Sequence, residues 1–138
     1  MELSFVYEEE VAREECLTLL KSARVGRVGI SIDSLPAIIP VNFITLNGSL
    51  IFRCAGPSRL FRASCGSVLA FEVDDYDLEG SFGWSVLVRG FAQEIVAGDE
   101  LEIARSLWLE AWPLGERADR YIALPLTVIS GMRFLRIS

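Results

Sequence analysis

Histidine is absent from all 138 residues. The side chain that most often serves as general base near neutral pH, and most often ligates metals, is therefore missing. Hydrolases built on Ser-His-Asp or Cys-His are excluded by composition. Cysteine is scarce: Cys16, Cys54 and Cys65 are odd in number and fit no zinc spacing, so reduced thiols in a cytoplasm are expected. No apolar run reaches the roughly 18–20 residues that cross a bilayer. Met1 to Glu10 is acidic where a secretory signal would be basic and then apolar. A cytoplasmic chain with no membrane role is the expectation. Positive charge is also short: 13 Lys and Arg stand against 19 Asp and Glu, a net charge of −6. Such a surface repels a nucleic-acid backbone, so no nucleic-acid partner is expected.

What is present suffices for one domain spanning residues 1–138. Hydrophobic residues make up 51% of the chain, enough for a core without disulfide or metal staples. Residues 8–23 read as an amphipathic helix, with Val11, Cys16, Leu17, Leu19, Leu20 and Ala23 on its apolar face. Short β-rich segments follow. Residues 25–32 alternate, Asp33-Ser34-Leu35 reads as a turn, and 37–46 is a longer strand whose Pro40 demands an edge or a bulge. Asn47-Gly48 is a hairpin signal, and 49–54 returns as a strand. A short helix is predicted from Pro57 to Ser64, ended by Gly66. Strands are predicted at 67–74, 82–97 and 120–137, with a helix at 99–111 carrying Leu101, Ile103, Ala104, Leu107 and Trp108 inward. Strands that follow one another without alternating helices favour a mainly β, antiparallel barrel of six strands with flanking helices.

The charge pattern holds the most specific signal. No acidic residue lies between Asp33 and Glu72, yet Arg53, Arg59 and Arg62 all fall there. Arg53 ends a strand, a Gly-Pro-Ser turn follows, and Ser58 and Arg59 open a helix. Guanidinium groups bind phosphate oxygens in a two-pronged fashion, so a phosphate cradle is one reading and three solvated surface arginines the other. Cys54 beside these arginines is read as a small buried residue ahead of a redox-active thiol. The run Asp74, Asp75, Asp77 and Glu79 lacks calcium-loop spacing and is read as a solvated loop. Arg27 is expected in a structural ion pair. Arg133, and Trp112 in its Trp-Pro-Leu-Gly loop, stay open between structural and ligand-facing roles, while Trp84 is the tryptophan expected to function.

Taken together, several segments resemble one family. They are Val25-Gly26-Arg27-Val28-Gly29, Pro36, Pro40-Val41-Asn42-Phe43, Ile51-Phe52-Arg53-Cys54 with Arg59, Phe71-Glu72-Val73-Asp74, Gly83-Trp84-Ser85-Val86 with Gly90, and Ser130-Gly131-Met132-Arg133. Their order and spacing resemble the pyridoxamine 5′-phosphate oxidase-related, FMN-binding split-barrel proteins, the short actinobacterial-type members in particular. The resemblance spans roughly residues 8–136. It implies a six-stranded split barrel and a homodimer with FMN sites at the subunit interface. Arg53, Cys54, Ser58 and Arg59 would hold the FMN phosphate. Val41, Asn42 and Phe43 would pass along the isoalloxazine, and Trp84 and Ser85 would approach the partner's flavin. Cys54 and Arg59 stand where the family often has Thr and Lys. Arg133-Phe134-Leu135 replaces the Arg-x-His signature of the true oxidase, so that activity is not expected, nor is a haem role without histidine. Three functions follow: an FMN-dependent oxidoreductase of unidentified small-molecule substrate, a non-catalytic flavin-binding or sensor protein, or a barrel that takes the deazaflavin F420 or no flavin.

Overall fold

A computed structural model describes residues 5–77, 79–107 and 119–137. Eight strands and three helices occur among them: β1 (Phe5–Val11), α1 (Arg13–Ser22), β2 (Val25–Ile32), β3 (Leu35–Leu46), β4 (Ser49–Cys54), α2 (Arg59–Ser64), β5 (Ser67–Tyr76), β6 (Phe82–Glu94), α3 (Asp99–Ser106), β7 (Arg120–Pro125) and β8 (Val128–Ile137). All described pairings are antiparallel, in the order β1-β8-β6-β5-β2-β3-β4-β7. The end of β6 turns to pair with β7, Gln93 opposite Ala123 and Glu94 opposite Ile122, which closes a six-stranded barrel. The β1–β8 pair hangs outside it on β6.

Alternation fills the barrel. Val28 and Ile30 of β2, Leu69, Phe71 and Val73 of β5, and Val86 and Val88 of β6 point inward, together with Phe52 of β4 and Ile122 of β7. Phe71 sits at the centre, edge-on to Phe43 with ring centroids 4.8 Å apart and planes inclined by 70°. Its ring lies over the bare Cα of Gly26, where a methyl group would overlap it. On the outside of β4 and β7 a second cluster, Ile51, Ile95, Ala104 and Tyr121, buries one side of α3. The helix α1 packs on β6 and β8, and α2 on β2, β5 and β7.

The β2–β3 and β3–β4 hairpin turns each use two residues with positive φ, Asp33 (51°) with Ser34 (68°) and Asn47 (49°) with Gly48 (77°). That geometry matches the twist of the flanking strands. Pro40 also lies where the pattern required. Phe43 N–H donates to Arg24 O at 3.2 Å. By alternation the N of Pro40 therefore faces away from β2, toward an edge on which β4 does not extend.

The structure departs from the sequence reading in several places. Residues 8–11 are the end of β1, not the start of a helix; Glu8, Glu9 and Glu10 favour helix locally, but seven-residue pairing with β8 prevails. The expected strand 120–137 is two strands on different walls, parted at Leu126 and Thr127, whose carbonyls accept from Arg13 at 2.6 and 3.2 Å. In α3, Ala104 is buried, but Ile103 and Leu107 face solvent. Trp108 and Trp112 lie outside the described residues.

Gly26→Ala should lower unfolding stability by about 1–3 kcal/mol through overpacking against Phe71. Gly29→Ala, whose new Cβ would meet Ala70 at an ordinary 3.6 Å, is the matched control and should stay within about 0.5 kcal/mol of the parent. Denaturant titration checks both. Equal effects at the two glycines would count against the close ring contact.

Candidate functional site

The barrel opens at one seam. Pairing of β3 with β4 begins at Phe43 opposite Phe52 and runs toward the Asn47-Gly48 turn. From Leu35 to Asn42 the same edge of β3 has no strand beside it among the described residues. The alternation that turns the Pro40 N outward also turns the Asn42 N–H and the Pro40 carbonyl to this edge, while the Asn42 carbonyl belongs to the last rung with β4. A flat ligand meeting β3 there finds the Asn42 N–H as a donor and the Pro40 carbonyl as an acceptor, with no competing N–H from proline. Val41 and Phe43 are buried and direct their side chains into the core, so they hold this edge in place from behind.

The other lip of the seam carries the arginines. Continuing the register sets Arg53 opposite Asn42, where the strands part. Arg53 is half-buried, with its guanidinium carbon 5.4 Å from the Tyr121 ring centroid. Cys54 has no exposed surface. Burial, with Glu94 and Asp119 adding, pushes its thiol up to about 12, so it is a protonated core residue without nucleophilic character. The Ala55–Ser58 turn follows, closed by Ser58 N–H to Ala55 O at 3.0 Å. The Ser58 hydroxyl accepts from Phe61 N–H at 3.1 Å and donates to Ala55 O at 2.7 Å, capping α2. Arg59 and Arg62 stand exposed one turn apart on α2.

Three groups here escaped the sequence reading because strand pairing delivers them. β7 runs beside β4, so Tyr121 lies opposite Arg53 and Arg120 opposite Cys54. Arg120 ion-pairs with Glu94 at 3.0 Å and lies over the Phe61 ring at 5.5 Å. Asp119 accepts the Gly56 N–H at 3.1 Å, fixing the turn before Ser58. Asp33, which bounds the acid-free stretch in sequence, returns in space. With Ser31, Ile32, Ala63, Arg59 and Arg62 it lines a cavity of about 370 Å³.

Trp84 and Ser85 are elsewhere in the same chain. They sit on β6 opposite Asp75 and Asp74, and the route from β3 through β2 and β5 to β6 is three strand steps. At about 4.8 Å per step they stand roughly 14 Å from the β3 edge as measured around the barrel wall. Trp84 is half-buried against the core. Arg27 pairs with Asp74 at 3.3 Å and Glu72 at 3.6 Å, the structural role expected of it. Arg133 ion-pairs with Glu9 at 3.9 Å and with Glu15, tying β8 to β1 and α1. The acidic run is partly strand: Asp74 and Asp75 belong to β5, while Asp77 accepts from the Ser81 and Phe82 N–H groups at 2.7 and 3.3 Å. No cluster of metal-ligating side chains occurs among the described residues.

Part of the outward face of β2, β3 and β5 is apolar, bordered by Ser31 and Arg89. A groove of about 390 Å³ runs over Gly29, Pro36, Ile38, Val68 and Ala70, with Ile38 and Val68 respectively 74% and 73% exposed.

A closed antiparallel barrel of six strands, parted at one seam with basic residues on its lip, defines the split-barrel class, of which flavin-binding proteins are solved members. Residues 12–133 match the family described as pyridoxamine 5′-phosphate oxidase, and the chain belongs to that family. An uncharacterized protein of Mycobacterium tuberculosis is 33% identical over 132 residues, covering 91% of this chain and 85% of the relative. The FAD binding protein of Mycobacterium smegmatis is 30% identical with a TM-score of 0.72, over 93% of this chain and 99% of that one. A Corynebacterium glutamicum protein named for pyridoxamine 5′-phosphate oxidase is 27% identical with a TM-score of 0.75, over 93% and 94% of the two chains.

Glu72 gives a measurable electrostatic consequence on the outer sheet face. Its Oε1 is buried without a hydrogen-bond partner, since Arg27 at 3.6 Å is within ion-pair range only. Burial, reinforced by the adjacent Asp74 and opposed by Arg27, raises its carboxyl from 4.5 to about 7. A pKa raised by folding contributes stability that is complete below the unfolded value and is lost as pH rises through the folded one. Glu72→Gln should therefore gain on the parent chain between about pH 5 and about pH 8, read from denaturant midpoints. A constant difference across that range would place the Glu72 pKa outside it.

Proposed function

We propose that this chain binds a flavin through its FMN portion, with the ring on the open β3 edge and the phosphate at the end of β4. The observation that carries this reading is the coincidence at one seam of a main-chain edge free of strand pairing and a lip bearing Arg53, Ser58 and Arg59. The Asn42 N–H and the Pro40 carbonyl suit the polar rim of an isoalloxazine, while Val41 and Phe43 keep that edge rigid. The guanidiniums of Arg53 and Arg59 take phosphate oxygens, and the Ser58 hydroxyl exchanges its Ala55 bond for one more. Cys54, buried behind them, positions the strand end from which Arg53 projects. The FMN portion is common to FMN and FAD, and the Mycobacterium smegmatis relative is named for the latter. Nothing in the seam favours the deazaflavin F420.

Flavin supplies hydride transfer when bound, so a site without histidine is no obstacle to an oxidoreductase acting on a small molecule. Residues of this chain would orient the ring, neutralise the phosphate and exclude water. The working unit is a homodimer. Its support is the apolar outer face around Ile38 and Val68, which gains from being covered. Distance within one chain supports the same arrangement: Trp84 and Ser85 complete a site only if they serve the partner's flavin.

Two outcomes test this. Arg53→Ala combined with Arg59→Ala should weaken FMN binding by about 100-fold or more, at roughly 1.5–3 kcal/mol per charged hydrogen bond. Titration followed by the flavin visible band reads it, and unchanged affinity would refute the phosphate assignment. Val68→Asp, at an exposed position distant from the arginines, should yield a folded monomer by light scattering with weakened flavin binding. Tight flavin binding by that monomer would refute the shared site.

A further inference from the structure

The far end of β5 carries a cavity that the flavin reading does not use. One row of the sheet runs from Tyr76 on β5 through Gly83 on β6 to Phe134 on β8, each opposite the next. These three line a cavity of about 320 Å³ together with Gly80, Phe82 and Arg136. Tyr76 and Phe82 are respectively 70% and 40% exposed. Apolar rings shown to water around one hollow mark a place that gains from being filled. Val68, in the groove assigned above to a second copy, lies at the other end of β5, roughly 26 Å away at about 3.3 Å per residue.

We propose that this cavity binds a small aromatic carboxylate, with the ring between Tyr76 and Phe134 and the carboxylate on Arg136. The inference is independent of the flavin reading.

Gly83 makes the space. Neighbouring strands lie about 4.8 Å apart, so the Cα atoms of Tyr76 and Phe134 stand roughly 9.6 Å apart. A planar ring in contact at about 3.5 Å on each face needs about 7 Å. The strand between them has no side chain at this row. Its packing keeps it bare: a Cβ on Gly83 would lie 3.2 Å from the Tyr76 Cβ and 3.3 Å from the Asp75 carbonyl oxygen. Two rings flanking a vacant position are spaced for a third.

Arg136 supplies the charge. Its N–H donates to Ser81 O at 2.8 Å, which fixes the end of β8 to the turn before β6. Its guanidinium reaches over that turn, where a Cβ on Gly80 would lie 3.8 Å from Nη2. Asp77, the carboxylate that shapes the turn, is committed to it. It accepts from the Ser81 and Phe82 N–H groups at 2.7 and 3.3 Å and from the Ser81 hydroxyl at 2.6 Å. Arg136 forms no ion pair with a carboxylate among the described residues. Glu8, opposite Phe134 on β1, and Glu79, beside Gly80, keep the rim acidic. One guanidinium in such surroundings matches a monoanion better than a doubly charged phosphate. A carboxylate is planar and fits the guanidinium fork. The volume is at the lower end of small-ligand sites, which suits one or two fused rings.

The experiment is a titration of the full, 15N-labelled chain with benzoate and with its neutral counterpart benzamide, followed by NMR and repeated with Arg136→Gln and Tyr76→Ala. Both side chains are exposed, so thermal unfolding should be unchanged in the variants. Benzoate should move the Gly83 N–H signal with a Kd of about 1 mM or tighter. Benzamide should bind about tenfold or more weakly, for want of a charged hydrogen bond. Arg136→Gln should bring benzoate to the level of benzamide and leave benzamide where it was, a separation that a merely structural arginine would not give. Tyr76→Ala should weaken both. Equal affinity for acid and amide, or an Arg136→Gln chain that binds benzoate as the parent does, would overturn the assignment. So would saturable benzoate binding that leaves the Gly83 signal in place, or no saturable binding below about 10 mM.

Discussion

The Phe71 ring, lying on the bare Cα of Gly26 and against the edge of Phe43, joins β5, β2 and β3 at one height in the barrel. That contact sets how closely three strands approach, and the seam depends on it. Phe43 is the last residue of β3 that pairs with β4; beyond it toward Leu35 the strand is held from one side only, by β2. A bulkier residue at position 26 would push the ring toward Phe43, at the point where the two lips diverge. The site is thus anchored by packing that never touches a ligand, and the unpaired edge is tolerable because the side chains behind it are fixed.

Much of this was legible in the chain itself, and the reason is locality. Two-residue turns with Asn-Gly or Asp-Ser, a proline confined to an edge, and inward alternation at Val28 and Ile30 all act over a few residues. So does the basic stretch bounded by Asp33 and Glu72. What escaped depends on partners distant in sequence. The glutamates before Val11 favour a helix until β8 arrives to pair with them. Pro125, beside Leu126, is a local sign that the strand stops there, but the tie of Arg13 on α1 to the carbonyls at the break comes only with the fold. Arg120 and Tyr121 likewise enter the seam only through the β4–β7 register.

Charge is arranged in the same economical way. The protein is acidic overall, yet some of its arginines are claimed by carboxylates and two are left facing a cavity. Arg27, Arg120 and Arg133 are held by carboxylates across strands and helices. Arg59 and Arg62 are not so held among the described residues, and they share one short helix. Ion pairs on exposed surfaces add little stability; their effect here is to leave positive potential concentrated where α2 meets the seam.

The β1–β8 ladder has a consequence in time. Phe5 pairs with Ile137, and Val11 with Gly131, so the earliest described strand acquires its neighbour only when the latest one has been made. During synthesis β6 can join β5, but its other border waits for β8, and the barrel stays open until β7 emerges to meet β4 and the end of β6. A ribosome-bound chain stopped before residue 120 would carry a sheet with two raw edges and an exposed apolar lining. For this sequence, barrel closure waits on β7 and β8, and the nascent chain is at its most adhesive just before they emerge.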